Sequence, residues 1–443
     1  FDCGNGQSVP LGNVCDFKQD CSNGNDELNC GACTFEQNAC TWTDVSTGSY
    51  SWRRDQDGTT TANTGPSVDH TLGTTQGWYM AVEAYTGTAN NLARLKSPTL
   101  RQGGPACMLK FWYHMYGSGI GSLSVYVQRG PVTQTQVWTL NQDRGDQWRQ
   151  AVVYVGRARG EFTVLFEAQR SFSTTGDIAI DDITFENCAL PAAQTSCTRD
   201  QFRCSSLACV DSDRVCDYSD DCGDNSDELQ CSNYPARCDF ETSLCSWQQM
   251  TDDEFDWTRA NGNTASVGTG PSRDHTLNTD AGYYVYIEAS SPRTQGDRAR
   301  LAGPTFQAVT GDSCKMRLFF HMLGQHIGAL RVMTRTAVGG PMTTVWSRNT
   351  AIGDYFDRNS VTLQSAAPFQ VVIEGEVGSG HQGDIALDDI SFSSGCQLYN
   401  GLLPSGTTAP PTTGPCPSGQ FSCVSNPTCI PNSQVCDFTD QCT

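Results

Sequence analysis

Six acidic residues and no basic residue occupy the sixteen positions from Cys216 to Cys231, which read CDYSDDCGDNSDELQC. Without a counter-charge, so many carboxylates would repel one another and resist compaction. Ca²⁺ binds six to eight oxygen atoms, and carboxylates are its commonest side-chain ligands in proteins. The stretch is therefore either disordered or built around a cation, and its acids are Asp217, Asp220, Asp221, Asp224, Asp227 and Glu228.

The cysteines indicate how such a segment is held. The chain has 23 cysteines, a density typical of disulfide-bonded proteins from an oxidising compartment. The net charge of -20 makes nucleic acid and heparin poor partners and favours cations and basic protein surfaces. No apolar run reaches the length of about 18 residues that would predict a membrane span. Phe1 begins within a repeat unit, so we expect a piece of a longer protein without its own signal peptide.

Two copies of a large unit dominate the chain. CTFEQNACTW from Cys33 returns as CDFETSLCSW from Cys238, GPSVDHTL (65–72) returns as GPSRDHTL (270–277), and GDIAIDDITF (176–185) returns as GDIALDDISF (383–392). Stretches such as LSVYVQ (123–128), FTVLFEA (162–168) and FQVVIEGE (369–376) are rich in β-branched and aromatic residues between glycine-rich turns. This pattern predicts an antiparallel β-sandwich in each copy.

The small units between them carry a specific resemblance. Six cysteines in order, Phe202 two positions before the second cysteine, and SDE before the last make residues 197–231 similar to the LDL-receptor class A module. The resemblance implies the disulfides Cys197–Cys209, Cys204–Cys222 and Cys216–Cys231. It also implies a calcium site made of four carboxylates and two backbone carbonyls, from Asp217, Asp221, Asp227, Glu228, Arg214 and Ser219.

An EF-hand loop is the alternative interpretation of the same acids. Asp217, Ser219, Asp221 and Glu228 fall at its positions 1, 3, 5 and 12, but Cys222 replaces the required glycine and no helical pattern flanks the loop. The first small unit has lysine at position 3, where an EF-hand needs a side-chain ligand. The class A resemblance needs only a carbonyl there, and we therefore prefer it.

Two further small units are partial copies. In residues 1–30 the resemblance implies Cys3–Cys21, Cys15–Cys30 and calcium ligands at Asp16, Asp20, Asp26, Glu27, Asn13 and Lys18. Ser8 stands where the third cysteine belongs, so we expect a looser calcium site. In residues 416–443 the expected disulfides are Cys416–Cys429 and Cys423–Cys442. Cys436 is left unpaired and Gln441 replaces a ligand acid, so calcium there is doubtful.

The large unit resembles the MAM domain, on its four cysteines, FE after the first, GPSxDHT, and GDIAxDDI before the last. The resemblance implies Cys33–Cys40, Cys107–Cys188, Cys238–Cys245 and Cys314–Cys396. The predicted fold class is mostly β: two MAM jelly-roll-like β-sandwiches alternating with small disulfide-rich, calcium-stabilised class A modules. The predicted boundaries are 1–30, 31–189, 197–231, 238–396, a Pro/Thr/Gly-rich extended linker at 397–415, and 416–443.

Repeated polar residues of the large unit allow two interpretations. Its acids could hold a cation at one end of each sandwich, or could cap turns in the ordinary way; they are Glu36, Asp69, Asp181, Glu241, Asp274 and Asp388, with Asp177, Asp182, Asp384 and Asp389 as weaker candidates. Adjacent strand residues such as Asp181 and Asp182 should face opposite sides of the sheet. The repeated histidines at 70, 275, 114 and 321 are expected to be hydrogen-bonded structural residues. Trp42, Trp52, Trp247 and Trp257 should fill the cores.

Catalysis has little support, because the sequence lacks a His-Glu-x-x-His pair and a Gly-x-Ser-x-Gly elbow. We predict an extracellular, calcium-dependent recognition and adhesion array that binds protein or lipoprotein-like ligands, including basic surfaces, with homophilic contacts as a further option. The alternatives are the non-catalytic arm of a mosaic protease or receptor kinase, and a structural spacer. Class A modules that bind ligand lysines often carry an aromatic residue two before the fourth cysteine; here Asn13, Arg214 and Gln434 stand there, which disfavours lysine binding.

Overall fold

The computed structural model describes residues 1–130 and 133–406, with the backbone of 420–422 and 429–431. Two β-sandwiches account for most of these residues. The first sandwich is built from the strands β1 (Thr43–Asp44), β2 (Arg53–Asp55), β3 (Tyr79–Val82), β4 (Leu92–Lys96), β5 (Met108–Met115), β6 (Ser122–Arg129), β7 (Thr133–Leu140), β8 (Arg149–Tyr154), β9 (Phe162–Gln169) and β10 (Ile178–Glu186). One sheet has the order β1-β4-β9-β6-β7 and the other the order β2-β3-β10-β5-β8.

The second sandwich follows a small two-stranded module made of β11 (Gln201–Arg203) and β12 (Cys209–Asp211). Its strands are β13 (Gln248–Gln249), β14 (Thr258–Asn261), β15 (Tyr283–Ile287), β16 (Arg298–Phe306), β17 (Lys315–Met322), β18 (Ala329–Arg335), β19 (Thr343–Arg348), β20 (Gly353–Thr362), β21 (Phe369–Glu376) and β22 (Ile385–Phe392). Its sheets, β13-β16-β21-β18-β19 and β14-β15-β22-β17-β20, repeat the order of the first sandwich. The mostly-β prediction is confirmed.

Alternation along the strands explains why the sandwiches form. In β9, Phe162, Val164, Phe166 and Ala168 belong to the hydrophobic core, whereas Glu167 and its outward neighbours do not. Successive strand residues point to opposite faces, so this pattern gives the sheet one apolar side. The four predicted tryptophans also lie in these cores, each 4% exposed or less.

Disulfides and short 3-10 turns (Leu11–Asn13, Ala84–Thr86, Ser212–Arg214 and Ser226–Glu228) complete the described structure. Modules of this size bury too little apolar surface to fold without such cross-links. Within residues 1–130 and 133–406, nine disulfides join cysteines that the two resemblances pair: Cys3–Cys21, Cys15–Cys30, Cys33–Cys40, Cys107–Cys188, Cys197–Cys209, Cys204–Cys222, Cys216–Cys231, Cys238–Cys245 and Cys314–Cys396.

The linker after the second sandwich runs along that sandwich as far as it is described. Leu398 forms an isolated β-bridge with Phe306, and Ser405 forms one with Val338. Beyond it, β23 (Gln420–Ser422) pairs with β24 (Cys429–Pro431). The predicted pairs Cys416–Cys429 and Cys423–Cys442, Cys436 and the rest of the predicted last module lie outside the residues whose side chains are described.

Candidate calcium and interdomain site

Two acidic loops are the candidate metal centres: the first loop (15–30) and the central loop (216–231). In the central loop, Asp227 is 1% exposed. Its Oδ2 accepts hydrogen bonds from the backbone N–H groups of Asp221 (2.8 Å) and Cys222 (3.2 Å). Its Oδ1 is buried and has no partner among the described residues. A buried carboxylate oxygen without a partner is costly unless something else, such as a cation, satisfies it.

The other three predicted side-chain ligands of the central loop surround the same backbone. Glu228 Oε1 accepts from the N–H of Asp217 (2.7 Å), and Asp217 Oδ1 accepts from the N–H of Ser219 (3.3 Å). Asp221 Oδ1 lies 3.3 Å from the Arg214 guanidinium, and its Oδ2 is buried without a partner in the described structure. All four predicted side-chain ligands therefore line one loop. Asp221 and Asp227 each leave one carboxylate oxygen without a partner among the described residues, whereas the second oxygen of Glu228 pairs with Arg237 at 2.6 Å.

The first loop repeats this geometry. Asp26 is 0% exposed, its Oδ2 accepts the N–H groups of Asp20 (2.5 Å) and Cys21 (3.0 Å), and its Oδ1 has no partner within the described range. Glu27 accepts the N–H groups of Asp16 and of the residue after it, both at 3.0 Å. Asp20 instead pairs with Lys18 (3.0 Å) and accepts from Asn13 (2.9 Å).

Crowding and burial shift the protonation of these carboxyls. Burial, followed by the charge of Asp217, raises the pKa of Asp221 to about 8 and that of Glu228 to about 7. Burial raises the pKa of Asp227 to about 6 and that of Glu27 to about 7. Without a counter-cation these loops would therefore hold protons near neutral pH.

The residues present fit Ca²⁺ by donor type, by number, and by the orphaned oxygen at the same position in both loops. In the described residues, however, no three acidic, histidine or cysteine side chains converge as a ready-made metal site. The carbonyls of Arg214 and Ser219 belong to the same segment, and that of Ser219 accepts the N–H of Asp221 (3.0 Å). Each loop is preceded by a 3-10 turn, Leu11–Asn13 or Ser212–Arg214, and not by the helix of an EF-hand.

Arginines of the second sandwich bind the central loop. On β20, Arg358 Nε lies 2.7 Å from Asp217 Oδ2, and its other nitrogen donates to the Asp213 carbonyl at 2.7 Å. Asp217 is 0% exposed. The sequence disfavours lysine binding at this module. The structure nevertheless shows a basic side chain of the same chain, Arg358, paired with the predicted calcium ligand Asp217.

A second arginine, on β17, is fully buried at this junction. Arg317 is 0% exposed and donates to the carbonyls of Asp213 (3.1 Å), Val215 (2.8 Å) and Cys216 (3.1 Å) of the module, and to that of Phe392 (3.0 Å) in its own sandwich. One guanidinium therefore holds the second sandwich against the segment 213–216, which leads into the central loop.

The first sandwich holds the opposite side of the same loop. Arg157 Nε lies 3.0 Å from Asp220 Oδ2, and another nitrogen donates to the Gly223 carbonyl at 2.7 Å. Arg159 donates to the Asn225 side chain at 2.7 Å. The two sandwiches also touch directly, since Arg273 of the second donates to the carbonyl of Tyr154 (3.0 Å) in the first.

The candidate acids of the sandwiches bind backbone N–H groups in both copies. Asp69 accepts from Leu72 (2.6 Å) and Thr74 (2.9 Å), and Glu36 accepts from Trp78 (3.0 Å). The equivalent acids repeat these contacts in the second sandwich: Asp274 with Leu277 and Thr279, and Glu241 with Tyr283. This geometry matches the turn-capping interpretation, and a cation at these acids stays a prediction.

The expectation that Asp181 and Asp182 face opposite sides of the sheet is wrong. A β-bulge interrupts the register after Asp181, and Asp182 has a φ of 46°, which turns its side chain to the same loop. Asp181 accepts the N–H of His70 (2.9 Å), while Asp182 contacts the ring of His70 (2.5 Å). Asp388, Asp389 and His275 repeat the arrangement.

The histidines behave as expected. The rings at 70, 275, 114 and 321 each contact an acid, and burial lowers the pKa of His275 to about 4 and lowers that of His114. Sequence reasoning missed the interdomain arginines, because one basic residue on a strand resembles any surface residue. A difference between the two large repeats could have indicated these arginines. The first sandwich has Lys110 and Gln150 at the positions of Arg317 and Arg358.

Comparisons with known proteins agree with the module order. The profile of the MAM domain, meprin/A5/mu, matches residues 33–189 and 238–397, more than half of the chain. The low-density lipoprotein receptor domain class A profile matches residues 195–231. MAM domain-containing glycosylphosphatidylinositol anchor protein 1 of Rattus norvegicus is 40% identical over 164 residues, which are 36% of this chain and 17% of that protein.

Two further relatives give the same result. Protein 1 of Gallus gallus is 36% identical over 41% of this chain and 20% of its own length, and protein 2 of Mus musculus is 36% identical over 36% and 18%. None of the helices in the described residues has the length and apolar character needed to cross a bilayer. Modules of these kinds point to extracellular adhesion or ligand binding. The chain belongs to the MAM domain family, and a low-density lipoprotein receptor class A module separates its two MAM domains.

Proposed function

We propose that this chain is an extracellular, non-enzymatic recognition and adhesion array whose arrangement depends on calcium. The observation that carries the proposal is the central loop, whose acids bind arginines of both sandwiches: Asp217 binds Arg358 and Asp220 binds Arg157. A change in the shape of this loop is therefore passed to the angle between the two MAM domains.

Calcium would be held in the central loop by Asp217, Asp221, Asp227, Glu228 and the carbonyls of Arg214 and Ser219. In the first loop it would be held by Asp16, Asp20, Asp26, Glu27 and the carbonyls of Asn13 and Lys18. The ion supplies the positive charge that lets these carboxylates stay ionised and close together. The orphaned oxygens of Asp227 and Asp26 support this assignment.

Protein partners with basic surfaces suit the net charge of -20. In the central module, however, Asp217 and Asp220 already bind arginines of this chain. We therefore assign partner contacts, including homophilic and lipoprotein-like ones, to the sandwich surfaces and the first module. Fixed spacing between two MAM domains raises the effective concentration of the second domain once the first has bound.

Bead aggregation tests the proposal. Beads coated with the chain should cluster with one another, or bind cells or lipoprotein particles, in calcium and not in EDTA. Asp227→Asn should lower that binding, whereas Asp224→Asn should not, because Asp224 caps an exposed turn of the same loop and is not a predicted ligand. Equal binding in calcium and EDTA would refute the calcium-dependent array.

A further inference from the structure

An open groove lies on the outer face of one sheet of the first sandwich. It follows β4, β9, β6 and β7 and has a volume of about 550 Å³, within the range of roughly 300–1,000 Å³ found for small-molecule sites. None of its lining residues belongs to either acidic loop. The groove shares one residue with the contact between the sandwiches, because the Gln136 carbonyl accepts from Arg273 of the second sandwich at 3.3 Å, and it shares none with the predicted calcium ligands.

The same face of the second sandwich is filled by an ion-pair network. Arg331 lies 2.7 Å from Glu374 and 2.8 Å from Glu376. Arg300 lies 2.7 Å from Glu374, and Arg298 lies 3.2 Å from Glu376. These long side chains lie across the sheet and cover it.

Strand register shows which residues replace that network in the first sandwich. Ser124 faces Glu167 as Arg331 faces Glu374. Leu92 faces Gln169 as Arg298 faces Glu376. Of the network, only the pair between Arg94 and Glu167 (2.7 Å) remains. Three charged residues have become serine, leucine and glutamine, and the groove occupies the space that they vacate.

The lining offers hydrogen bonds and little accessible charge. Glu167 pairs with Arg94, and Arg170, which is 6% exposed, donates to backbone carbonyls. The side chains of Asn90, Asn141 and Gln169 have no hydrogen-bond partner among the described residues. Each amide can both donate and accept, so these groups suit a ligand that carries many hydroxyl groups.

An aromatic ring stands at the end of the groove. Phe172 is 86% exposed and lines the groove, whereas the second sandwich has Ser379 at this point of its loop. The ring of Phe172 offers an apolar platform for the C–H face of a ring-shaped ligand.

We propose that this groove binds a neutral oligosaccharide. An ionic ligand would find no exposed charge without a partner, because Glu167 pairs with Arg94 and Arg170 is buried. An apolar ligand would leave the amides and hydroxyls unsatisfied. Alternating hydroxyl groups and C–H faces match the amides and the phenyl ring. This site goes beyond the calcium-dependent array and does not rest on it, so binding of a single oligosaccharide persists in EDTA.

A glycan array followed by calorimetry tests the site. The whole chain is applied in calcium and in EDTA to neutral, sialylated and sulfated oligosaccharides, and the best neutral tetrasaccharide is then titrated. Ser124→Arg restores the arginine of the second sandwich beside Glu167 and should weaken binding at least tenfold, while Phe172→Ala should weaken it severalfold. Thr343→Arg adds the same side chain to an exposed strand of the second sandwich and should leave affinity unchanged.

Thermal melting checks that Ser124→Arg is folded. The proposal is overturned if the array shows no neutral oligosaccharide bound or only charged ones, or if Ser124→Arg binds as well as the parent chain. Capture of a protein partner that Ser124→Arg blocks, without any glycan binding, would also overturn it. Loss of bead aggregation in EDTA with unchanged oligosaccharide affinity would separate this site from the calcium-dependent function.

Discussion

The first module and the central module are attached to the sandwiches by different forces. In the first module, Cys15 and Cys30 lie in the same apolar core as the first sandwich, and the ring of Phe17 packs 5.4 Å from that of Phe185. The central module has its own small core and meets both sandwiches through arginines. One kind of module can therefore attach by apolar packing in one place and by ionic contacts in another.

The kind of attachment determines whether calcium binding in a module can change its junction with the sandwiches. Among the described contacts, no sandwich arginine binds a carboxylate of the first loop, so a change there stays within one junction. In the central loop, Asp217 serves as a predicted calcium ligand and as the partner of Arg358. Apolar packing is insensitive to charge, whereas a charged joint responds to metal, salt and pH.

Removing one acid from each loop should give the largest effect. Asp227→Asn should lower calcium affinity of the central module by about 100-fold or more and remove several kcal/mol of metal-linked stability. It should also alter the spacing of the sandwiches. Asp26→Asn should lower affinity at the first loop and leave the spacing unchanged. Calorimetry and X-ray scattering measure the two effects, and equal changes in spacing would contradict the contrast.

Loss of the buried arginine should come next. Arg317→Ala leaves four carbonyls without their donor and should cost about 3–5 kcal/mol of unfolding free energy, as for other buried charged partners. The matched control is Lys110→Ala in the first sandwich, where the half-exposed pair with Glu186 contributes about 1 kcal/mol or less. Denaturant unfolding compares them. Equal costs would show that Arg317 is not a joint residue.

Truncating the apolar contact should have an intermediate effect of a different kind. Phe17→Ala should cost about 2 kcal/mol, because Phe17 is only partly buried. The cost should be the same at low and high salt. The effect of Arg358→Gln should instead shrink in part as salt rises, because it removes an ion pair that is mostly buried and is therefore screened less than an exposed one. The contrast fails if both variants show the same salt dependence in denaturant titrations.

The smallest effect is pH dependence within the central loop. The pKa of Glu228 is raised to about 7 and that of Asp227 to about 6, above unfolded values of about 4. Without metal, the folded state binds more protons, so its stability rises as pH falls from 8 towards 4. Calcium can bind only after those protons leave. Calcium affinity should therefore fall as pH falls, by up to about tenfold per pH unit for each proton displaced.

Melting temperatures in calcium and EDTA check this sign. The melting temperature in calcium should exceed that in EDTA, and this excess should shrink steadily from pH 8 to pH 5. Calorimetry in buffers of different ionisation enthalpy should also show protons released when calcium binds at pH 7. A calcium-dependent increment that stays constant across this range would contradict the assignment of Asp227 and Glu228.

Much of this organisation could be predicted from the sequence, because it is encoded locally. Cysteine order, the acidic runs and strand alternation predict the modules and the acids that line each loop, and the resemblance to the two families implies their disulfides. Contacts between modules could not be predicted, because the central-module partners of Arg317 and Arg358 lie more than 100 residues away in the chain. Those partners become neighbours only when the central module packs against β17 and β20. The bulge at Asp182 was missed for a related reason: strict alternation does not anticipate a residue with positive φ.

X-ray scattering of the whole chain, in calcium and after addition of EDTA, tests the central claim most directly. If calcium in the central loop fixes both sandwiches through Arg157, Arg317 and Arg358, the radius of gyration and the spread of interdomain distances increase in EDTA and return when calcium is restored. Arg358→Glu, which places an acid opposite Asp217, should show the expanded profile even in calcium. Superimposable scattering curves for the parent chain in calcium and EDTA would contradict the claim.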